Sequence, residues 1–229
     1  VKPNTTNSSG KYMSPLLESI KLKDGRLHNP DYHQRRMNSA LGELFPETSE
    51  IGLQNSIQIP ESCRTGLFKV RVLYGPAIER IEFEPYQPRV VQSLKVVYHE
   101  SIDYHLKFAD RQILQQLFAQ RGDCDDVIIV KNGMVTDAFA ANLLFFDGQK
   151  WVTPHLPLLK GTQRQFLLDQ GIISETEIRE EDISGYTKIG LINAMVDFEE
   201  MPVVPVEKIL YLSRVSSYKN QDKNEYPDT

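Results

Sequence analysis

Residues 125–168 decide the fold and read DDVIIVKNGMVTDAFAANLLFFDGQKWVTPHLPLLKGTQRQFLL. The Asn-Gly pair at 132–133 and the Asp-Gly pair at 147–148 are typical of tight hairpin turns, and the apolar runs beside them predict three consecutive strands. Residues 160–162 (KGT) then lead into a predicted helix. The stretch therefore predicts dense hairpins followed by a loop that enters a helix.

The segments on either side extend this second half of the chain. Apolar positions in residues 108–120 (FADRQILQQLFAQ) follow helical spacing, and Gly122 ends the run. Residues 189–206 (IGLINAMVDFEEMPVVPV) add an apolar strand and a turn marked by prolines. Hairpins with interspersed helices predict a mixed sheet that closes on itself like a barrel.

The first half predicts a smaller unit. Residues 14–23 (SPLLESIKLK) and the following Asp-Gly turn indicate a hairpin, and a helix is predicted from Asn29 to about Leu44. Alternation in residues 67–74 and 78–84 predicts a second hairpin, and residues 90–98 resemble one more strand.

The expected fold class is therefore α+β, a mixed α/β arrangement in two parts. We expect a small N-terminal domain over residues 1–98, a linker over residues 99–106 and a larger C-terminal domain over residues 107–229. The polar ends, residues 1–12 and 216–229, are expected to be disordered.

Composition narrows the class of protein and its partners. The chain has 229 residues, of which 40% are hydrophobic and 25% charged, as in soluble globular proteins. Its formal net charge of −5 argues against binding to nucleic acid or to an anionic membrane. No apolar run approaches the ~18 residues of a membrane span, and the polar first residues do not resemble a secretory signal. The two cysteines, Cys63 and Cys124, form no CxxC pair, so we expect a cytoplasmic protein.

Several common motifs are missing from the sequence. There is no GxGxxG nucleotide fingerprint and no GxSxG nucleophile elbow. The five histidines show no HExxH spacing and have no cysteine partners, so no metal site is expected.

Two single residues could be reactive because of their sequence neighbours. Lys107 stands at the start of the predicted helix between Leu106 and Phe108, where loss of solvation would lower the pKa of its amine and make it a nucleophile or a base. An ordinary lysine whose head reaches solvent is the alternative. Asp137 lies in a mostly apolar strand, where a buried carboxylate would need a partner, although a surface aspartate at a strand end has the same pattern.

An anion site is a further possibility. Gly161 and Thr162 precede a predicted helix, whose first N–H groups and dipole favour an anion such as phosphate. Arg36, in the sequence HQRRM on the first predicted helix, could reach the same anion. A plain capping threonine and a solvated surface arginine are the corresponding alternatives.

The order of four blocks resembles the class IV aminotransferase family, the fold type IV pyridoxal-phosphate enzymes. The blocks are KFADR, VTDAFAANLLFF, LLKGTQRQFLL and LINAMVDFEEMPVVPV. The segment LLESIKLKDGRLHNPDYHQRRMNSA is similar to the family's strand, Asp-Gly turn, strand and HxxR helix. The resemblance covers roughly residues 14–212.

The resemblance implies a cofactor, pyridoxal 5'-phosphate, and a role for each matching residue. Lys107 matches the lysine that bonds to the cofactor aldehyde, and Asp137 takes the place of the family's glutamate beside the pyridine nitrogen. The matches to phosphate-binding positions are Arg36, Gly161, Thr162, Asn193 and Ala194. Aspartate is one methylene shorter than glutamate, so the ring is expected to sit slightly deeper. The family's first strand and turn are expected to be missing or replaced by the polar start, which would remove one lip of the site.

The resemblance leaves the reaction open. The family includes branched-chain and D-amino-acid aminotransferases and 4-amino-4-deoxychorismate lyase, which releases pyruvate and forms 4-aminobenzoate. Asn193-Ala194 and the segment AANLLFF are similar to the lyases, so the lyase is favoured over an amino-acid aminotransferase. A catalytically silent module that binds the cofactor is a third hypothesis.

Substrate contacts and assembly are also expectations from the resemblance. Glu18 and Ser19 occupy the strand that faces the substrate side in relatives, and Arg71 or His105 could meet a carboxylate of a small amino substrate. Tyr32 and Tyr104 are expected to be packing residues. Relatives are generally homodimers, so a homodimer is expected here.

Overall fold

The computed structural model describes residues 14–211, so the two polar ends lie outside the described residues. The first part of the chain contains β1 (Leu16–Lys23), β2 (Arg26–Leu27), α1 (Pro30–Leu44), α2 (Leu53–Ser56), β3 (Leu67–Tyr74) and β4 (Ile78–Pro85). The second part contains β5 (Leu94–Tyr98), α3 (Gln112–Ala119), β6 (Asp126–Lys131), β7 (Met134–Val135), β8 (Asn142–Phe146), β9 (Trp151–Pro154), α4 (Thr162–Asp169), β10 (Ser174–Thr176), β11 (Lys188–Ile192), β12 (Val203–Pro205) and β13 (Ile209–Leu210). No helix in this described part is both long and apolar enough to cross a membrane.

The first sheet is antiparallel, with the strand order β2-β1-β3-β4. Its first turn needs left-handed backbone at Asp24 (φ 48°) and Gly25 (φ 76°), which explains the Asp-Gly pair. Helix α1 begins at Pro30, a position where no N–H is needed, and packs Met37 against the core of this sheet. Both predicted hairpins and the predicted helix of the first half are confirmed.

Within the described residues, which end at 211, the second half forms two separate sheets, so the prediction of one sheet closed into a barrel is wrong. Their strand orders are β10-β9-β8-β11-β12 and β13-β5-β6-β7. Side chains from both sheets share one core, in which Ile128 and Val130 from β6 pack with Leu143 and Phe145 from β8. Because this packing already buries the apolar faces, the two sheets need no hydrogen-bonded edge between them.

The proposed domain division at residues 99–106 stays a prediction. Immediately after this segment, the chain is fixed to the first sheet. The backbone N–H of Leu17 donates to the Lys107 carbonyl at 2.8 Å, and Leu16 forms an isolated β-bridge with Phe108.

Helix α3 begins later than its apolar pattern predicts. The bridge to Leu16 holds the backbone at Phe108 in an extended form. Helix α3 begins at Gln112, whose N–H donates to the Asp110 carboxylate at 2.9 Å. Lys107 therefore lies in a loop before α3, and the prediction that it stands at the start of the helix is wrong.

Candidate active site

One cavity of about 410 Å³ brings together most of the residues singled out in the sequence. It is lined by the residues matched to cofactor binding, namely Arg36, Lys107, Asp137, Gly161, Thr162, Asn193 and Ala194. They come from α1, from the loop before α3, from the segment after β7, from the start of α4 and from the turn after β11. Residues far apart in the chain thus converge on one hollow.

Lys107 supplies the amine of this cavity. Burial disfavours the charged form and is the largest cause that lowers the pKa of Lys107, and the charge of Arg36 lowers it further, to about 7. A substantial fraction of the amine is therefore unprotonated near neutral pH. An unprotonated amine can act as a nucleophile or as a general base.

Asp137 supplies a fixed carboxylate. Its side chain is buried, and its two oxygens accept hydrogen bonds from Asn142 Nδ2 at 2.8 Å and from the N–H of Leu159 at 2.9 Å. Burial raises the pKa of Asp137 to about 6, although these hydrogen bonds oppose the rise. Each carboxylate oxygen has a second lone pair, so the group can still accept a hydrogen bond from a donor in the cavity.

The start of α4 forms the anion-binding end of the cavity. Gly161 precedes the helix, and the first N–H groups of a helix have no intrahelical acceptor. Arg36 reaches the same place, since its Nη1 lies 3.5 Å from the Lys160 carbonyl. Thr162 Oγ1 lies 3.4 Å from His33 Nε2, so this hydroxyl is held between α1 and α4. A helix N-terminus beside a guanidinium suits a phosphate group.

Arg36 is oriented by a buried acid. Glu18 is fully buried and accepts hydrogen bonds from Arg36 Nε at 2.9 Å and from Arg36 Nη2 at 2.5 Å. His33 Nδ1 lies 2.6 Å from the same carboxylate. Burial alone would raise the pKa of Glu18, but the charge of Arg36 and the bonds from His33 and Arg36 outweigh it and lower the pKa to about 2. Burial in turn lowers the pKa of His33.

The turn after β11 closes the cavity on another side. Asn193 Oδ1 accepts the N–H of Met195 at 2.9 Å, and Asn193 Nδ2 donates to the Ala140 carbonyl at 3.2 Å. An ion pair of 2.6 Å between buried Lys21 on β1 and partly exposed Asp197 ties this turn to the first sheet. The turn matched to phosphate binding is therefore held from both sides.

The four residues expected to contact substrate fall into two groups. Ser19 and Arg71 line the cavity, and Arg71 Nη1 is paired with Glu82 at 3.0 Å and with Glu84 at 3.1 Å.

Glu18 and His105 do not line the cavity. Glu18 lies behind Arg36, where it serves as that arginine's partner. His105 is exposed, because its side chain is held at the surface by Asp103 at 2.6 Å and by Glu43 at 2.8 Å. The expectation that either contacts substrate is not supported by this placement.

Several further lining residues were not singled out as site residues in the sequence, and three of them have polar or aromatic side chains that matter here. Arg111, Asp126 and Phe139 all line the cavity. Asp126 accepts the N–H of Phe139 at 3.1 Å and a bond from Arg89 Nη1 at 3.2 Å. Arg111 stands in the same KFADR block as Lys107, and this proximity is the signal that could have identified it. Tyr104, expected to pack, is buried and donates to the Phe108 carbonyl at 2.8 Å, but it also lines the cavity.

Comparison with known families identifies the family of this chain. The profile of amino-transferase class IV matches residues 16–209, which is most of the chain. The chain belongs to the class IV aminotransferase family. An uncharacterised protein of Haemophilus influenzae is 39% identical over 185 residues, which cover 80% of this chain and 98% of that relative.

Solved structures of other proteins share the fold of this chain. A protein of Haemophilus somnus, named provisionally as a 4-amino-4-deoxychorismate lyase, is 37% identical, with a TM-score of 0.75 over 81% of this chain and 98% of that chain. A hypothetical aminotransferase of Mycobacterium tuberculosis in its PLP-bound form is 18% identical, with a TM-score of 0.66 over 83% of this chain and 80% of that chain. At that identity, the second similarity establishes the fold alone.

Proposed function

We propose that this class IV aminotransferase-family protein is a pyridoxal-phosphate-dependent 4-amino-4-deoxychorismate lyase. The observation that carries the proposal is the single cavity in which the Lys107 amine, the Asp137 carboxylate and the α4 N-terminus converge. The lyase is favoured over an aminotransferase by the 37% identity to the Haemophilus somnus protein of that provisional name. Asn193-Ala194 and AANLLFF, which are similar to lyase segments, support the same choice.

The groups present fit the cofactor by their chemistry. Lys107 would hold the aldehyde, the Asp137 carboxylate would accept a hydrogen bond from the protonated pyridine nitrogen and keep the proton on the ring, and Thr162 with the α4 amides and Arg36 Nη1 would hold the phosphate. When bound, pyridoxal phosphate would withdraw electrons from the substrate carbon that carries the amino group. Because Asp137 is anchored by Asn142 and Leu159, its position is fixed before any ligand arrives.

Lys107 would perform the proton transfers. With a pKa of about 7, its free amine can remove the proton from the amine-bearing carbon and return a proton afterwards. Loss of that proton and cleavage of the bond to the enolpyruvyl oxygen make the substrate ring aromatic, giving 4-aminobenzoate. The enolpyruvyl group leaves as its enolate, whose methylene carbon takes up the proton that Lys107 removed and becomes the methyl group of pyruvate, so atoms and charges balance.

The decisive experiment is the direct assay of the purified protein with pyridoxal phosphate and aminodeoxychorismate. We expect fluorescent 4-aminobenzoate and an equal amount of pyruvate, and we expect both to be lost in Lys107→Ala. Lys23→Ala, an exposed lysine at the end of β1, is the matched control and should retain full activity.

Absorbance spectra of the cofactor-loaded protein distinguish the two other hypotheses, an aminotransferase and a silent binding module. Bleaching of the cofactor absorbance by a D- or L-amino acid, without 4-aminobenzoate formation, would contradict the lyase and identify an aminotransferase. A lysine-bound cofactor spectrum with neither reaction would identify a silent binding module. Homodimer assembly is proposed by analogy alone, and light scattering of the purified protein tests it.

A further inference from the structure

The cavity contains one arginine whose charge is not balanced by a protein carboxylate. Four arginines line it. Arg36 is paired with Glu18, and Arg71 with Glu82 and Glu84. The third, Arg89, is paired with Asp126. The fourth is Arg111, which has no ion pair with any carboxylate in the described range 14–211, and its Nη2 donates to the Phe139 carbonyl at 2.5 Å.

An aromatic stack holds Arg111 without neutralising it. Its guanidinium lies 4.4 Å from the centre of the Phe139 ring, and Phe139 stacks on Phe118 with ring centres 4.3 Å apart. Arg121 lies over the Phe118 ring at 4.1 Å. A guanidinium on an aromatic face keeps its full charge and its remaining N–H donors. The stack therefore fixes one plane of Arg111 and leaves donors for a ligand.

Arg111 is near the reacting amine. It follows Lys107 by four residues, and both line the same cavity. Burial is the largest cause of the lowered pKa of Lys107, and the positive charge of Arg111 is among the further causes, as expected for two groups that line one cavity. A planar guanidinium with free donors is the side chain best suited to a carboxylate.

We propose that Arg111 binds a carboxylate of the substrate and so acts as a specificity-determining residue of this site. The inference rests on the proposed function only in part, because lyase and aminotransferase substrates both carry a carboxylate. It gives Arg111 the role that the sequence suggested for Arg71 or His105, whose charges are already paired within the protein.

The test compares two ligands of nearly the same size and shape, one of which has a carboxylate where the other has a neutral amide. Isothermal titration of the cofactor-loaded protein with 4-aminobenzoate and with its neutral isostere 4-aminobenzamide measures the preference for the carboxylate. Arg111→Met should weaken 4-aminobenzoate binding by about 10- to 100-fold, the range for a lost hydrogen bond to a charged group. Binding of the amide should change by less than about threefold, since it makes no charged contact.

Two further variants are the controls. Arg121→Met removes the arginine at the other end of the same stack. Like Arg111, Arg121 donates to a phenylalanine carbonyl (Nη1 to Phe118 O, 3.2 Å), but it does not line the cavity. The affinities for 4-aminobenzoate and for the amide should therefore both be unchanged. Arg111→Lys keeps the charge without the planar fork and should retain part of the preference. It also replaces Arg111→Met in the comparison if that variant does not fold.

The outcomes separate this inference from the proposed lyase. If wild type shows no preference for the carboxylate, or if the preference survives in Arg111→Met, the inference is overturned even when the lyase assay succeeds. If the preference depends on Arg111 but no 4-aminobenzoate is produced from aminodeoxychorismate, the inference stands and the lyase proposal fails.

Discussion

Replacing Glu18 by glutamine tests the buried charge cluster behind the cavity. The substitution keeps the size of the side chain but removes the negative charge between Arg36 and His33. A largely buried guanidinium that loses its carboxylate partner is left with an unbalanced charge, which is unfavourable. We therefore expect Glu18→Gln to lower the free energy of unfolding and to loosen Arg36 at the anion-binding end of the cavity.

The structure sets the magnitude. The pKa of Glu18 falls from an ordinary 4.5 to about 2 in the folded protein. At about 1.36 kcal/mol per pH unit, this difference corresponds to about 3 kcal/mol of stability at pH 7. Because the folded pKa is depressed, the stabilisation is complete above pH 4.5 and is lost as the pH falls toward 2. For a chain of this length, a loss of about 3 kcal/mol lowers the melting temperature by roughly 6–12 °C.

The assay is urea unfolding of wild type and variant at pH 7 and at steps down to pH 3. Glu82→Gln is the matched control, because Glu82 pairs with Arg71 on a partly exposed strand and should contribute less than about 1 kcal/mol. The difference between wild type and Glu18→Gln should narrow below pH 4.5. A loss below 1 kcal/mol at pH 7, or a difference that is constant with pH, would refute the reasoning.

Two further predictions concern buried amines. Labelling of the cofactor-free protein with an amine reagent, followed by mass spectrometry, should show Lys107 titrating with a midpoint near pH 7. Exposed Lys23 serves as the reference. A midpoint above pH 9 for Lys107 would show that burial does not lower the pKa of its amine. For the pair of Lys21 and Asp197, whose side chains are 2% and 40% exposed, Asp197→Asn should cost about 3 kcal/mol because it strands a buried ammonium, whereas Lys21→Met should change stability by less than about 1 kcal/mol. Equal losses in urea unfolding of the two variants would show that burial of the lysine does not control the pair.

Local sequence patterns were sufficient for the elements that turns and caps define. The Asp-Gly turn at residues 24–25, the proline start of α1 and the hairpin of β3 and β4 all occur where predicted. Each depends on backbone preferences of a few neighbouring residues. The site residues matched through the family order also lie together, since their sequence blocks preserve positions that only the folded chain connects.

The features that sequence reasoning missed depend on contacts between distant segments. Whether two sheets join at an edge or pack face to face is decided by long-range pairing, which strand alternation does not contain. Glu18 lies in a strand buried on both faces, so alternation could not show that its side chain points at α1. A signal did exist there, because His33 and Arg36 are one helical turn apart and share a face. His105 is drawn outward by Asp103 and Glu43, and its own residue type gives no sign of this.

The different partners of Arg36 and Arg111 explain how one cavity can bind two anions without mixing them. Arg36 donates hydrogen bonds from Nε and Nη2 to Glu18, which balances its charge. Its Nη1, near the Lys160 carbonyl, is left to orient a phosphate beside the α4 amides. Arg111 is bonded to a carbonyl and an aromatic ring, which leave its charge intact. Among the arginines that line the cavity, Arg111 is therefore the one without a carboxylate partner in residues 14–211, whereas Arg36 is committed to Glu18 and to the start of α4. In the proposed binding mode, a substrate carboxylate binds Arg111 and does not compete with the phosphate for the donors of Arg36.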